Sequence, residues 1–303
     1  MTASVQGRQI DGDGLFGSLY APPGAGLSPG VLLLGGSEGG RHERDAQLLA
    51  ATGFTVLALA YFGAPGLPPG LVDIPLEYFS RGIDLLADQP GTGGRIGVLG
   101  GSRGGEAALL IAAHDSRVSA VVSVVGSGLR TQGIDFRHGS LLDILDTPTN
   151  SWTLQGRPLP YLPYAVSDDL RALVEQRQPV PLASAFAPPP TDPAELDRVS
   201  IPVERIGGPV LLLSAEDDRN WPSAAYSQVA ADRLAGHPHR VEHHILPGAG
   251  HSIAGPPGAP FTSTLSPGPG VTFEMGGTAA TNTRAQADCW AATTLFLTES
   301  LLG

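Results

Sequence analysis

The chain has 303 residues, 42% of them hydrophobic and 16% charged, which is the composition of a globular protein long enough to form one large α/β domain. Its net charge of -11 and the lack of a basic run argue against nucleic acid and anionic membrane surfaces as partners. All 18 basic residues are arginine, which excludes lysine Schiff-base chemistry, and the single cysteine, Cys289, excludes an internal disulfide and a cysteine-based metal cluster.

Apolar runs and amphipathic stretches alternate along the chain and predict alternating strands and helices. The predicted strands are residues 15–20, 30–34, 54–59, 95–99, 118–125, 209–213 and 241–246. The predicted helices are residues 42–52, 74–87, 104–113, 223–234 and about 284–302. Short valine, leucine and isoleucine strands between amphipathic helices are typical of a parallel sheet covered on both faces. We therefore expect a single α/β domain over residues 1–303, with a mostly parallel sheet.

Two long stretches interrupt this alternation. Residues 126–207 contain no clear parallel strand and are rich in proline, leucine and tyrosine, and residues 252–283 are rich in glycine, proline and threonine. Long segments of this kind in a compact domain are usually lids, binding loops or disordered linkers. We expect residues 126–207 to form a cap-like insertion and residues 252–283 a Gly/Pro-rich loop beside the pocket. The composition of the cap predicts a largely apolar pocket, with Tyr161, Tyr164 and Trp221 as candidate lining residues.

Ser102 stands at the centre of the most informative motif. Residues 100–105 (GGSRGG) lie between a predicted strand and a predicted helix. A serine in a sharp strand-to-helix turn, with glycines two positions before and after it, is the pattern of the nucleophile elbow of an α/β-hydrolase. The five-residue pattern alone is weak in a chain with 41 glycines, and Ser102 could instead cap the following helix.

An acid and a histidine follow in the order that this fold requires, each after a later strand. Asp217 and Asp218 come after the predicted strand 209–213, and His251 comes after strand 241–246. A serine nucleophile needs such a base, and the base needs an acid that fixes its tautomer. Asp218 is favoured because it is the fourth residue of the strand-end segment and a proline follows four residues later; Asp217 stays open as the alternative.

Acyl transfer also needs donors for the oxyanion of the tetrahedral intermediate. The backbone N–H of Arg103, directly after the serine, is one candidate. The glycine-rich loop at residues 35–40 is expected to supply the second, from the N–H of Ser37 or Glu38. This loop lacks the spacing and the lysine of phosphate-binding loops, so an oxyanion turn fits it better.

Several further motifs together resemble one known family. They are residues 57–63 (LALAYFG), 74–79 (IPLEYF), 100–106 (GGSRGGE), 156–164 (GRPLPYLPY), 201–205 (IPVER), 216–221 (EDDRNW) and 250–251 (GH). In this order they resemble the catalytic domain of the acyl-CoA thioesterase and bile acid-CoA:amino acid N-acyltransferase family, over roughly residues 14–302. The resemblance implies that Ser102 is the nucleophile, His251 the base and Asp218 the acid.

The chain also departs from that family in two respects. Animal members carry an N-terminal β-sandwich domain, whereas this sequence begins almost directly at the hydrolase domain. The amino-acid-conjugating branch typically has a cysteine nucleophile, and a serine stands at position 102 here. The serine favours water as the acyl acceptor, with an amine or an internal hydroxyl as alternatives.

We expect a serine hydrolase of acyl thioesters that acts through an acyl-enzyme on a small-molecule thioester or ester. The alternatives are an acyltransferase or cyclase, a carboxylesterase similar to dienelactone hydrolase, and a non-catalytic binding protein. We expect no metal, no cofactor, no membrane insertion and a cytoplasmic location, since neither an apolar run of 18 residues nor a signal peptide is visible. The sequence leaves open a homo-oligomer and which arginines would hold a phosphate-bearing substrate.

Overall fold

The computed structural model describes residues 5–12, 14–24, 26–268 and 270–303. The strands are β1 (Gln6–Gly12), β2 (Leu15–Ala21), β3 (Gly30–Leu34), β4 (Thr55–Ala60), β5 (Ile74–Pro75), β6 (Ile96–Gly101), β7 (Val118–Val124), β8 (Trp152–Leu154), β9 (Arg157–Pro158), β10 (Val210–Ala215), β11 (Val241–Leu246), β12 (Thr264–Gly268) and β13 (Val271–Glu274). The α-helices are α1 (Glu43–Ala50), α2 (Leu76–Ala87), α3 (Arg103–His114), α4 (Leu141–Asp146), α5 (Asp168–Glu175), α6 (Pro193–Val199), α7 (Ser223–Arg233) and α8 (Ala279–Leu301).

Eight strands form one sheet in the order β1-β2-β4-β3-β6-β7-β10-β11. β2 is antiparallel to β1 and β4, and every other pairing in this sheet is parallel. Parallel strands end at the same edge, so the segments after β3, β6, β10 and β11 all begin there. The predicted mostly parallel sheet is confirmed.

Alternate residues of the central strands face opposite sides of the sheet. Leu32, Leu57 and Val98 belong to the core that contains residues of α2, α3 and α7. Val31 and Val56 belong to the core that contains residues of α1 and α8. Each such side chain, fully buried, contributes roughly 1.5–3 kcal/mol to folding, so the two cores hold the carboxyl edge of the sheet rigidly in place.

The boundaries of two predicted helices differ from the structure for local reasons. α2 begins at Leu76 rather than at residue 74, because Ile74 and Pro75 pair with β8 instead. α8 begins at Ala279 rather than near residue 284, because the Thr278 side chain accepts from Thr281 N–H in a capping box. The stretch 252–283 therefore contains the β12–β13 hairpin and the first turn of α8 as well as loop.

The stretch 126–207, between β7 and the segment before β10, contributes no strand to the eight-stranded sheet. It contains α4, α5, α6, β8 and β9, and we call it the cap. Trp152 of the cap is fully buried, and its ring centroid lies 6.1 Å from those of Tyr61 and Phe79. Through this aromatic cluster the cap packs against the α2 side of the sheet. In the described ranges, no helix has both the length and the hydrophobicity to cross a bilayer.

Candidate active site

Ser102 lies in a strained turn between β6 and α3. Its backbone angles are φ 53° and ψ -120°, a region that residues with a side chain rarely adopt. The Ser102 N–H donates to the Val124 carbonyl at 2.8 Å, and the Ser102 carbonyl accepts from Gly105 N–H at 2.9 Å. The Ser102 side chain forms no capping hydrogen bond to α3. The turn thus leaves the hydroxyl free to face the site rather than to cap the helix.

Two glycines allow the helix to start this close to the strand. A Cβ added at Gly100 would overlap the Gly104 carbonyl, and one added at Gly104 would lie 2.5 Å from both the Leu34 and the Gly35 carbonyl oxygens. Real Cβ atoms do not approach backbone oxygens this closely. The glycines at these two positions are therefore required by the elbow itself.

Ser102, His251 and Asp218 form a continuous hydrogen-bonded chain. His251 Nε2 lies 3.0 Å from Ser102 Oγ. His251 Nδ1 lies 2.9 Å from Asp218 Oδ2 and 3.1 Å from Asp218 Oδ1. With the Nδ1–H donating to the carboxylate, Nε2 is left to accept from the serine hydroxyl. The arrangement has the geometry of a Ser-His-Asp triad.

Asp218 is held by donors from its own loop. Its Oδ1 accepts the N–H groups of Asn220 at 3.1 Å and Trp221 at 2.9 Å, and its Oδ2 accepts the Ser223 hydroxyl at 2.7 Å. Asp217 points elsewhere: its Oδ2 accepts Gly277 N–H at 2.8 Å. The structure therefore brings Asp218, and not Asp217, to the histidine.

His251 is fixed from α8 and from the segment directly after β13. Its own N–H donates to the Met275 carbonyl at 2.7 Å, and the N–H of Gly250 donates to Asn282 Oδ1 at 2.7 Å. Burial lowers the pKa of His251, but the charge of Asp218 and its hydrogen bond outweigh burial, so the pKa is raised above the ordinary histidine value. Sequence reasoning missed Asn282, since nothing near it marks a helical asparagine as the support of a loop about 30 residues earlier.

The glycine-rich loop after β3 lies against Ser102. A Cβ added at Gly36 would be 3.1 Å from Ser102 Cβ. In the described part of the chain, the N–H of Ser37 donates to no other protein atom, whereas the N–H of Glu38 faces the carboxylate of its own side chain. Arg103 is the first residue of α3, where backbone N–H groups have no acceptor within the helix. The three predicted oxyanion donors thus belong to segments that flank the serine.

The side chain of Arg103 has a role that the sequence did not indicate. It is 1% exposed, and its Nη1 lies 3.2 Å from Glu106 Oε2 in a fully buried ion pair. Glu106 also accepts the Trp152 indole N–H at 2.6 Å and the Thr131 hydroxyl at 2.7 Å. Arg103 itself donates to the Thr131 and Gln132 carbonyls of the cap. This pair ties α3 to the cap.

The predicted pocket residues take different places. Trp221 is buried below the Arg103 guanidinium, with 5.0 Å between the Arg103 Cζ and the ring centroid. The Tyr164 hydroxyl lies 3.5 Å from Arg103 Nη2. Tyr161 is half-buried and, among the described residues, has no hydrogen bond or ring contact to the triad. The structure groups Trp221 and Tyr164 around Arg103 and leaves Tyr161 apart.

Residues 74–303 match the family model described as BAAT / acyl-CoA thioester hydrolase C terminal. The chain belongs to this family. The resemblance inferred from the sequence motifs is thereby confirmed. Within the described ranges, no three His, Cys, Asp or Glu side chains are grouped as ligands for a metal ion.

Curated relatives match over most of this chain. Mouse acyl-coenzyme A thioesterase 6 is 31% identical over 94% of this chain and 63% of its own length. Mouse acyl-coenzyme A amino acid N-acyltransferase 1 is 32% identical over 98% of this chain and 66% of its own length. Human acyl-coenzyme A thioesterase 1 is 31% identical over 95% of this chain and 63% of its own length. The chain thus spans just under two thirds of the length of these relatives.

Solved structures support the fold. A dienelactone hydrolase-like promiscuous phosphotriesterase from metagenomic libraries aligns with a TM-score of 0.56 and 16% identity, over 98% of this chain and 99% of that one. A puromycin-hydrolyzing peptidase from Mycobacterium tuberculosis aligns with a TM-score of 0.55 and 17% identity, over 99% of this chain and 39% of that one. At this identity the likeness concerns the fold alone, and it confirms the predicted α/β-hydrolase architecture.

Proposed function

We propose that this chain is a serine hydrolase that cleaves acyl thioesters through an acyl-enzyme on Ser102. The observation that carries the proposal is the hydrogen-bonded chain Ser102–His251–Asp218 at a strained elbow. Relatives named as acyl-coenzyme A thioesterases support the thioester as the substrate class. A small-molecule substrate, with no metal or cofactor in the reaction, is part of this proposal.

In the first half of the reaction, the Ser102 oxygen attacks the thioester carbonyl carbon while its proton passes to His251 Nε2. The carbonyl oxygen becomes an oxyanion, for which the N–H groups of Arg103 and of Ser37 or Glu38 are the proposed donors. The intermediate collapses as the carbon–sulfur bond breaks. The leaving thiolate takes the proton from His251, and the acyl group stays on Ser102 as an ester.

In the second half, a water molecule attacks the acyl-enzyme and gives its proton to His251 Nε2. The bond from the acyl carbon to the Ser102 oxygen then breaks, and His251 returns the proton to the serine. Asp218 accepts the His251 Nδ1–H throughout and stabilises the imidazolium that forms twice in the cycle. The products are a carboxylic acid and a thiol.

Transfer of the acyl group to an amine is a second candidate function. The 32% identity to an acyl-coenzyme A amino acid N-acyltransferase favours it as the alternative. Both functions share the same acyl-enzyme, so the rate of thiol release does not separate them. Mass analysis of the products formed with and without candidate amino acids does.

The proposal is tested by intact-protein mass spectrometry after a brief exposure to a panel of acyl-CoA thioesters. We expect an added acyl mass on the wild type and on Ser119→Ala, a serine control in β7. Ser102→Ala should gain no mass and should lose thiol release by at least about a thousandfold. Equal acylation or equal turnover of Ser102→Ala would contradict the proposal.

Location and assembly remain predictions. Relatives with peroxisomal and mitochondrial names are among the matches, so a cytoplasmic location is proposed on the sequence alone. The same holds for the lack of nucleic-acid partners, for a homo-oligomer, and for a single domain over residues 1–303 with a cap at 126–207.

A further inference from the structure

The carboxylate of Glu38 lies where the oxyanion loop meets the serine. Its Oε1 accepts the Gly36 N–H at 3.0 Å. A Cβ added at Gly36 would lie 2.6 Å from Glu38 Oε2 and 3.1 Å from Ser102 Cβ. The carboxylate and the serine therefore border the same small space above Gly36. An anionic oxygen already occupies a backbone donor beside the proposed nucleophile.

A cation next to this carboxylate keeps it ionised. His42 Nε2 lies 3.2 Å from Glu38 Oε1, and His42 Nδ1 lies 3.9 Å from Asp45 Oδ2. Hydrogen bonds to Asp45 and Glu38 raise the pKa of His42 to about 10, so its ring is protonated at neutral pH. Burial raises the pKa of Glu38, but the bond and charge of His42 outweigh burial and lower it. Glu38 is thus an anion in the resting protein.

The Glu38 side chain is largely exposed, so solvent lies beside it. It is 57% exposed, whereas the His42 side chain is 23% exposed. A small rotation can release Gly36 N–H while the carboxylate stays beside His42 and in contact with water. Such a movement leaves no buried charge without a partner.

An oxyanion and the Glu38 carboxylate cannot share this site. Two negative charges a few ångströms apart disfavour each other, and the single hydrogen of Gly36 N–H cannot serve both well. The charge of Glu38 also reaches the base, since it contributes to the raised pKa of His251. The position of Glu38 therefore bears on the acylation step itself.

We propose that Glu38 occupies the oxyanion site of the substrate-free protein and turns away from Gly36 N–H toward the solvent, staying beside His42, when an acyl carbonyl binds. Gly36 N–H then becomes a further donor to the oxyanion, beside the N–H groups already named. The proposal rests on the proposed function, because the incoming group is the carbonyl that Ser102 attacks. Glu38 is a positioning residue that competes with the substrate for a donor.

The test measures the rate at which a fluorophosphonate labels Ser102. The serine oxygen displaces fluoride from phosphorus through a pentacoordinate transition state with negative charge on the phosphoryl oxygen, so this probe uses the oxyanion donors without needing a thioester. Glu38→Gln removes the charge, and we expect labelling to accelerate by at least about threefold. Glu38→Ala, which frees Gly36 N–H completely, should be at least as fast. Glu43→Gln, which changes a carboxylate of α1 bonded to Ser18, is the matched control and should match the wild type.

His42→Gln should act in the opposite direction. Without its cationic partner, Glu38 is held more firmly by Gly36 N–H, and labelling should slow. If Glu38 and His42 only maintained the shape of the loop, labelling would slow in Glu38→Gln, Glu38→Ala and His42→Gln alike. Faster labelling of the Glu38 variants and slower labelling of His42→Gln therefore distinguishes competition for the donor from a structural role.

The pH dependence of labelling supplies a second readout. The charged or titratable groups that face Glu38 are His42 directly before α1, with Asp45 behind it, Tyr61 after β4 and His251 after β11. The charge of Glu38 contributes to the raised pKa of His251, and Glu38→Gln removes that charge. The acid limb of the labelling rate of Glu38→Gln should therefore move to lower pH. A labelling rate of Glu38→Gln that is unchanged, lower or zero overturns the proposal. Failure of the proposed thioester activity would appear separately, in the acyl-CoA assay.

Discussion

At the scale of single residues, two adjacent aspartates have separate structural roles. Asp218 accepts two backbone N–H groups, a serine hydroxyl and the His251 ring. Asp217 instead connects the loop between β10 and α7 to Gly277, and it also accepts from Arg219 of the same loop. The same side chain thus orients a base at one position and ties two loops together at the next.

Asp218→Asn should abolish most activity while leaving the loop folded. An amide no longer holds the His251 tautomer or stabilises its charged form, so kcat/KM should fall by about 10³–10⁴-fold. Asp217→Asn is the matched control and should stay within about tenfold of the wild type. Steady-state thiol release measures both. Equal losses in the two variants would contradict the assignment of the acid.

The pH profile follows from the raised pKa of His251. The base must be neutral to accept the Ser102 proton, so kcat/KM should rise with pH through the pKa of His251. That pKa is raised, which places the midpoint of the acid limb above 6.5. The residual activity of Asp218→Asn should have its midpoint at lower pH, because the charge that raised the pKa is gone. A midpoint that does not move between the two proteins would rule out this electrostatic link.

At the scale of secondary-structure elements, the elbow depends on close contact between β6 and α3. The strained Ser102 backbone persists because its N–H and its carbonyl both form hydrogen bonds. It also persists because Gly100 and Gly104 have no Cβ, so neighbouring backbone can pack directly against them. The following helix presents Arg103 and Glu106 to the cap from its first turn. One turn thus positions the proposed nucleophile, a proposed oxyanion donor and the ion pair that holds the cap.

Gly100→Ala should destabilise the fold strongly. The new methyl would overlap the Gly104 carbonyl and push α3 away from β6, at a cost of about 2 kcal/mol or more in the free energy of unfolding. Gly207→Ala is the control, because nothing lies within 4 Å of its added Cβ, and it should change stability by less than about 0.5 kcal/mol. Urea denaturation followed by fluorescence measures both. A Gly100→Ala protein as stable as the control would show that the elbow can relax.

At the scale of the whole molecule, the cap and the sheet share buried charge and aromatic packing. Glu106 is fully buried and bonds Arg103 on its own helix, and Trp152 and Thr131 in the cap. Trp152 also packs on rings from the sheet side. A cap joined in this way should unfold together with the sheet rather than before it.

Glu106→Gln tests this coupling. It leaves the buried Arg103 charge without its carboxylate, which should cost about 3–5 kcal/mol. Glu195→Gln, in an exposed pair with Arg198, should cost at most about 1 kcal/mol. We expect the wild type to unfold in one calorimetric transition and Glu106→Gln to unfold at a lower temperature. Two separate transitions in the wild type would show that the cap and the sheet are independent units.

The sequence by itself determined the central layers and the order of the site. Continuous apolar strands, amphipathic helices and the glycine spacing around Ser102 are local patterns, and local patterns reflect local backbone and burial preferences. The order of a serine, an acid and a histidine after successive strands could be read in the same way, because parallel strands end at one edge. The predicted starts of α2 and α8 were less accurate. The pairing of Ile74 and Pro75 with β8 delays the start of α2, and the capping box at Thr278 starts α8 earlier.

Only the tertiary structure decided which aspartate meets His251, that Asn282 supports its loop, that Glu106 anchors the cap, and that the Glu38 carboxylate accepts Gly36 N–H beside Ser102. Each of these depends on side chains that lie far apart in the chain or on the direction in which a loop side chain points. Sequence spacing does not carry such information, because the contacts form only when the sheet, α8 and the cap pack together and shield the charged groups from water.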